Sequence, residues 1–405
     1  MLNLRPCQLE AVVDILDKKK ILIADDMGFG KCAEAISAKT ALENRLGYDI
    51  NTLVSCPSSV TEHWEDEARK WYKKRDQTKS TIIQTQNYGE SLEQARNSDF
   101  VIVDYPTLSA LGDSQSAIDK FSGMGFKYGI IDEVHNAKNP ESIRSMSVKS
   151  LFDSMEYLTL LSGTPVPNSV LDIYMLLSLL DKDTFPIDST NPRALLSSFY
   201  NTFREDPEFV SRLLNDRMLR RTTDEYLHTK FPELRQRDLE VFLEGEHRDI
   251  YLQVYENDDI KPGSKLWQLI KASIDPNLVN PRLLDERLRE RIGRMESSVY
   301  DSLDNLVEEV VDNNGKVLLF SDLKEGVIEK LGKRFSKYGA VLIDGDVSSK
   351  RVNGDLSARE EIRKKFQNNS DCKILLSTTV MDEGVDLTAA TDLVHLTLPY
   401  TPSAF

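Results

Sequence analysis

The chain has 405 residues, 40% apolar and 29% charged, with a formal net charge of -15. That balance suits two folded domains and argues against wholesale disorder and against a protein that coats nucleic acid with its whole surface. It leaves room for a local groove, because phosphate contacts need only a few placed donors. The four cysteines, Cys7, Cys32, Cys56 and Cys372, form no CxxC pair, so neither a zinc site nor a disulfide framework is signalled and a reducing setting fits. Met1-Leu2-Asn3-Leu4-Arg5 lacks a signal-peptide core, and no apolar run nears the ~18 residues that span a bilayer. The expectation is a soluble intracellular protein, of cytoplasm, nucleoid or nucleus, with no membrane partner.

The chain opens with Leu4-Arg5-Pro6-Cys7-Gln8. A glutamine amide offers a donor and an acceptor, which matches the edge of adenine. Lys20–Ala24 then reads as a buried strand. It runs into Asp25-Asp26-Met27-Gly28-Phe29-Gly30-Lys31-Cys32, and a helix pattern follows from Ala33 to Thr40. Strand, tight turn and helix N-terminus make a phosphate cradle, with backbone N–H groups and the helix dipole facing the anion. Lys31 would reach the outer phosphates of a nucleoside triphosphate. The strict phosphate-loop pattern has Gly where Asp25 stands and Ser or Thr where Cys32 stands, so the match is partial.

Strands are predicted at Thr52–Cys56, Thr81–Gln84, Phe100–Asp104, Tyr128–Asp132 and Tyr157–Ser162, alternating with helical patterns. Continuous Val/Ile/Leu runs of this length suit a parallel sheet covered on both faces. Pro57-Ser58-Ser59 follows the second strand; its hydroxyls suit either a sugar–phosphate backbone or plain N-capping. Asp132-Glu133-Val134-His135 ends a central strand, where ligands of parallel sheets bind. Asp132 would hold Mg²⁺, and Glu133 would orient or deprotonate water. His135 reads as a hydrogen-bonding partner there or as a satisfied surface histidine. Ser162-Gly163-Thr164-Pro165 ends another strand; Ser162 and Thr164 either form a simple turn or relay the state of the phosphates to the carboxylates.

From Val166 to about Tyr300 the pattern turns helical, at Ser169–Leu180, Pro192–Leu214, Lys265–Ala272 and Arg282–Met295. The last carries many arginines among acids and is read as a solvated, paired face. A second alternation begins at Lys316, with strands at Lys316–Phe320, Ala340–Ile343, Lys373–Leu376 and Leu393–Leu396 and helices at Leu323–Tyr338 and Arg359–Gln367. Hydroxyls at its strand ends, Ser321, Ser377 and Thr378, are candidates for gripping a nucleic-acid backbone. Gly384 would allow close backbone approach, and Asp386 would complete an interdomain site.

The ordered set Leu4-Arg5-Pro6-x-Gln8, Ala24-Asp25-Asp26-Met27-Gly28-x-Gly30-Lys31, Cys56-Pro57-Ser58-Ser59-Val60, Asp132-Glu133-Val134-His135, Ser162-Gly163-Thr164-Pro165, Leu219-Arg220-Arg221-Thr222 and Glu383-Gly384-Val385-Asp386 resembles the Swi/Snf family of superfamily-two ATPases, with wording nearest the annealing-helicase branch. The resemblance implies an α/β protein of two RecA-like parallel-sheet lobes with helical insertions between them. Residues 1–235 would be lobe one, with an insertion near 184–230, and residues 236–405 lobe two, with an insertion near 244–300. It implies an ATP-binding set of Arg5, Gln8 and Ala24 through Cys32, with Lys31, Asp132, Glu133 and His135 catalytic. Mg²⁺ would sit on Asp132 and the residue at position 32. Ser162, Thr164, Gly384 and Asp386 would couple the lobes. Pro57, Ser58, Ser59, Ser321, Ser377 and Thr378 would face DNA.

The implied function is ATP-dependent translocation on duplex or branched DNA by a monomer, in replication, recombination or repair. The alternatives are a strand-separating DNA or RNA helicase, or a nucleotide-gated DNA-binding scaffold with little turnover. The family has Thr at position 32, so Cys32 implies weaker Mg²⁺ binding. The sequence ends before the family's arginine-containing helix, which implies slow hydrolysis.

Overall fold

Seven short apolar runs of the N-terminal half stack as parallel strands: β1 (Lys20–Ile23), β2 (Thr52–Cys56), β3 (Ser80–Ile83), β4 (Phe100–Asp104), β5 (Tyr128–Ile131), β6 (Tyr157–Leu161) and β7 (Met218–Leu219). Their order across the sheet is β3-β4-β2-β5-β6-β1-β7. The structure is a computed structural model that describes residues 4–85, 88–112, 114–163, 171–187, 191–222, 235–347, 357–378 and 387–397. The chain divides into two units, Met1–Pro232 and Glu233–Phe405.

Alternate residues of each strand enter different apolar clusters, which is why the runs are apolar throughout. On one face, Ile21, Ile23, Val54, Ile102 and Ile130 pack under α1 (Pro6–Lys18), α2 (Lys31–Leu46) and α3 (Thr61–Trp71). On the other, Leu22, Leu53, Val101, Val103 and Leu160 pack under the helices Tyr88–Ala95, Tyr105–Gly112, Ile143–Phe152 and Asp172–Leu180. Because β6 lies between β5 and β1, three strand ends become neighbours. They carry Asp132-Glu133, Ser162-Gly163 and the 24–30 turn.

The second unit has four parallel strands, β8 (Val317–Phe320), β9 (Val341–Ile343), β10 (Ile374–Ser377) and β11 (Asp392–His395), ordered β11-β8-β10-β9. Helices Gly245–Glu256, Pro262–Ile274 and Ser298–Asp312 precede the sheet. Both units are therefore α/β with parallel sheets, and among the described residues most elements between Asp172 and Asp312 are helical, strand β7 apart.

Three helical expectations need correction. Arg282–Met295 is not one helix: it is a 3₁₀ turn at Pro281–Leu283, a short helix at Glu286–Arg289 and further turns. Asn280 and Asp285 cap local backbone N–H groups, and Gly293 adopts φ +88°, so caps and glycine override the charge pattern. Pro192–Leu214 breaks into Pro192–Glu205 and Phe209–Asn215 at Asp206, which precedes a proline and leaves the helical region. Leu323–Tyr338 starts as a π-turn containing Gly326 at φ +82°, becomes α-helical over Glu329–Arg334 and ends in a 3₁₀ turn. Helix α1 and the two-residue strand β7 are elements that the sequence pattern did not signal.

Candidate functional site

The parallel ladder of β1 and β7 runs past both strands. Ala24 N donates to the Leu219 carbonyl (2.7 Å) and Asp26 N to the Arg221 carbonyl (3.1 Å). This sets Asp25-Asp26 against Arg220-Arg221 as two adjacent ion pairs. The inner pair is buried. Asp25 accepts from the Arg221 backbone N–H (2.8 Å), from its Nε (3.0 Å) and from its Nη2. Arg221 also donates to Glu34 Oε1 at the start of α2 (2.8 Å) and to the Cys7 carbonyl of α1. Its guanidinium lies 5.3 Å from the centre of the Phe29 ring. One buried cation thus ties β7, α1, the turn and α2 together. Two carboxylates share it, and burial pushes the Glu34 carboxyl up to about 7, with Arg221 pulling the other way.

Gly28 and Gly30 adopt φ of +84° and +86°. A Cβ at Gly30 would lie 2.5 Å from Gln8 Nε2, so a larger residue there would displace that amide as well as strain the left-handed backbone. Arg5 Nη2 donates to the carbonyls of Gly28 (3.2 Å) and Phe29 (2.5 Å). Gln8 Nε2 donates to the Phe29 carbonyl (2.8 Å), and its Oε1 accepts from Arg5 N (2.9 Å). The Gln8 amide thus braces the turn. The Lys31 amine folds back onto the carbonyls of Asp25 (2.8 Å) and Asp26 (3.4 Å). It lies 3.9 Å from where a Gly163 Cβ would stand, and Met27 Cγ lies 3.6 Å from the same point.

At the end of β5, Asp132 is buried. Its Oδ2 accepts from Trp64 Nε1 of α3 (2.8 Å), and its Oδ1 accepts from the backbone N–H of Glu133 (3.0 Å). Tyr105 Oη donates to the Asp132 carbonyl (2.6 Å). Burial, and then the charge of Glu133, push the Asp132 carboxyl up to about 7, while Trp64 and the Lys31 ammonium pull it down. Glu133 holds φ +45°, a conformation uncommon outside glycine and typical of working strand ends. His135 Nδ1 lies 3.3 Å from Glu133 Oε2 and 3.2 Å from Ser162 Oγ, so it links two strand ends within the first unit.

Lys31, Cys32, Asp132 and Glu133 therefore share one electrostatic neighbourhood. Burial, then Asp132, push the Cys32 thiol well above its ordinary range, so it stays neutral. A neutral thiol does not fit a hard cation that prefers oxygen, whereas the Asp132 carboxylate does. Among the described residues no group of three or more His, Cys, Asp or Glu could hold a metal ion. Asp132 would hold Mg²⁺ only with phosphate and water oxygens completing the shell.

The nucleic-acid candidates fall in both units. Pro57 precedes the 3₁₀ turn Ser58–Val60 at the end of β2, and Ser58 Oγ donates to Asp104 Oδ2 (2.6 Å). Ser321 Oγ accepts from Leu323 N (3.2 Å), and Ser377 Oγ donates to the Thr378 carbonyl (2.9 Å). Ser59 lies in the same turn as Ser58, and Thr378 N reaches the Ile343 carbonyl (3.4 Å). Thr164, Gly384 and Asp386 lie outside the described residues. Sequence reasoning did not single out Glu34 or Tyr105, and gave Trp64 and the two arginines no role. The partners that fix them lie 27 to 214 positions away.

Two parallel α/β units and a glycine turn whose lysine shares a neighbourhood with paired acids define a nucleotide-dependent, helicase-like class. Residues 10–283 match the SNF2-related domain, and residues 299–405 match the helicase conserved C-terminal domain. The chain belongs to the SNF2-related family of helicase-like ATPases. It is 23% identical over 417 residues to the human DNA annealing helicase and endonuclease ZRANB3, covering 99% of this chain and 36% of that protein. It is 25% identical to an uncharacterized ATP-dependent helicase of Mycoplasma pneumoniae, covering 97% and 37%. The chain thus spans just over a third of the length of these relatives. The Sulfolobus solfataricus SWI2/SNF2 ATPase core in complex with dsDNA is similar at 22% identity and a TM-score of 0.48, over 98% of this chain and 82% of that one. Among the described residues no helix is long and apolar enough to cross a membrane.

Proposed function

We propose that the chain is the motor core of an ATP-dependent translocase acting on duplex or branched DNA, in replication, recombination or repair. The carrying observation is that the Lys31 amine and the Asp132–Glu133 carboxylates share one electrostatic neighbourhood, at the ends of the strands on either side of β6. In this reading the free N–H groups at the start of α2 and the Lys31 amine bind the phosphates. Arg5 and Gln8 face the base once the turn is loaded. Bound Mg²⁺ would neutralise phosphate charge. Asp132 supplies its carboxylate oxygen, and Trp64 holds that carboxylate in orientation. Glu133 positions the attacking water and takes its proton, and His135 passes the geometry of Glu133 to Ser162. Backbone-directed contacts through Pro57, Ser58, Ser59, Ser321, Ser377 and Thr378 would make binding indifferent to base sequence. Thr164, Gly384 and Asp386 keep their proposed coupling role, and the acting species is a monomer.

The test is ATP hydrolysis measured with duplex, forked and single-stranded DNA and with RNA. Stimulation by duplex or forked DNA, abolished by Lys31→Ala and by Glu133→Gln, supports the reading. Greater stimulation by single strands or RNA moves the chain to strand separation. Nucleotide binding without turnover on any nucleic acid makes it a nucleotide-gated scaffold.

A further inference from the structure

The two adjacent arginines after β7 differ in exposure. Arg221 is 1% exposed and fully engaged with carboxylates, whereas the Arg220 side chain is 40% exposed. Arg220 Nη1 donates to the carbonyls of Ala24 (2.5 Å) and Gly163 (3.2 Å), and Nη2 donates to Asp26 Oδ1 (2.9 Å). These contacts take three of the five N–H donors of a guanidinium. They fix the side chain across the ends of β1 and β6 and keep it at the mouth of the turn. Gly163 is also the residue beside the Lys31 amine. Two cations from distant parts of the chain therefore flank one glycine, one as an ammonium point charge and one as a planar fork suited to phosphate oxygens.

We infer that Arg220 is a second phosphate-binding cation of this site, contacting the outermost phosphate of a nucleoside triphosphate and setting the preference for tri- over diphosphate. The inference rests on the nucleotide reading above. Lys31 would reach the outer phosphates, and Arg220, beside the same Gly163, would meet the same end of the anion. Asp26 holds the guanidinium in place, so little further ordering is needed to meet a phosphate. Arg221 has no such role, because both of its carboxylates and its burial keep it inside.

The experiment is titration of the whole chain with ADP and with a non-hydrolysable imido analogue of ATP, in Mg²⁺, for wild type, Arg220→Ala, Arg220→Lys and Lys31→Ala. Loss of one charge-assisted contact predicts that Arg220→Ala weakens the analogue by about 10- to 100-fold and ADP by less than about threefold. Arg220→Lys, which keeps the pairing with Asp26, falls between and decides the question if the alanine variant melts early without nucleotide. Equal losses for both nucleotides mean that Arg220 only braces the turn, and they overturn the inference, as does no loss at all. If wild type binds neither nucleotide, or Lys31→Ala binds both as tightly as wild type, the site reading itself falls and takes the inference with it.

Discussion

In each unit a buried nitrogen-bearing side chain ties several elements together, and these two ties, Arg221 and His247, differ in charge. In the first, the Arg221 guanidinium joins Asp25, Glu34 and the Cys7 carbonyl. In the second, His247 joins three helices: its Nε2 lies 2.7 Å from the Ala272 carbonyl, and its Nδ1 accepts from Ser298 N (3.3 Å). Burial pushes the His247 ring below its ordinary pKa, so this tie is neutral. A charged tie can hold a functional turn in a strained glycine conformation, but it leaves two acids competing for one cation. A neutral tie needs only backbone partners and suits a packing junction.

The largest effect expected from breaking this contrast is in the first unit. Arg221→Ala leaves Asp25 and Glu34 buried without their cation, and denaturant unfolding should show a loss of about 3–5 kcal/mol. A loss below about 1 kcal/mol, the scale of an exposed pair, would mean that the inner and outer ion pairs do not differ. Next in size is a pH effect from Glu34. Its folded pKa of about 7 lies above the ordinary 4.5, so its contribution is complete below pH 4.5 and is lost as pH rises through 7. The change is on the order of 3 kcal/mol. Glu34→Gln should flatten that slope in unfolding curves taken from pH 4.5 to 8; an unchanged slope would assign it to another group.

The smallest effect sharpens the comparison by its opposite sign. The folded His247 ring binds its proton less readily than the unfolded one. Its contribution is therefore present above pH 6.5 and is lost as pH falls below it. His247→Phe should remove this acid sensitivity of the second unit and, by leaving the Ala272 carbonyl and Ser298 N–H unmatched, cost about 1–3 kcal/mol at neutral pH. Amide exchange followed separately in residues 235–347 and 4–163 would distinguish the two responses.

Much of this was legible along the chain. The strands were, because parallel strands buried on both faces read as nearly continuous apolar runs, as in Phe100–Asp104 and Tyr157–Leu161, where every position is buried. The glycine turn was, because a φ near +85° before a helix selects glycine. Arg282–Met295 misled, since charge spacing carries no information about the caps at Asn280 and Asp285. Strand β7 was invisible because two residues cannot carry a period.

The residue order by itself determined the two parallel sheets and which side chains stand at their ends, since those follow from nearest-neighbour periodicity and turn chemistry. Only the tertiary structure decided the charge state and reach of those side chains. Asp25 is paired with Arg221, Asp132 is pushed toward neutral pH and Arg220 is left facing outward because of partners up to 196 positions away and because of burial, and burial is a property of the packed chain rather than of any segment of it.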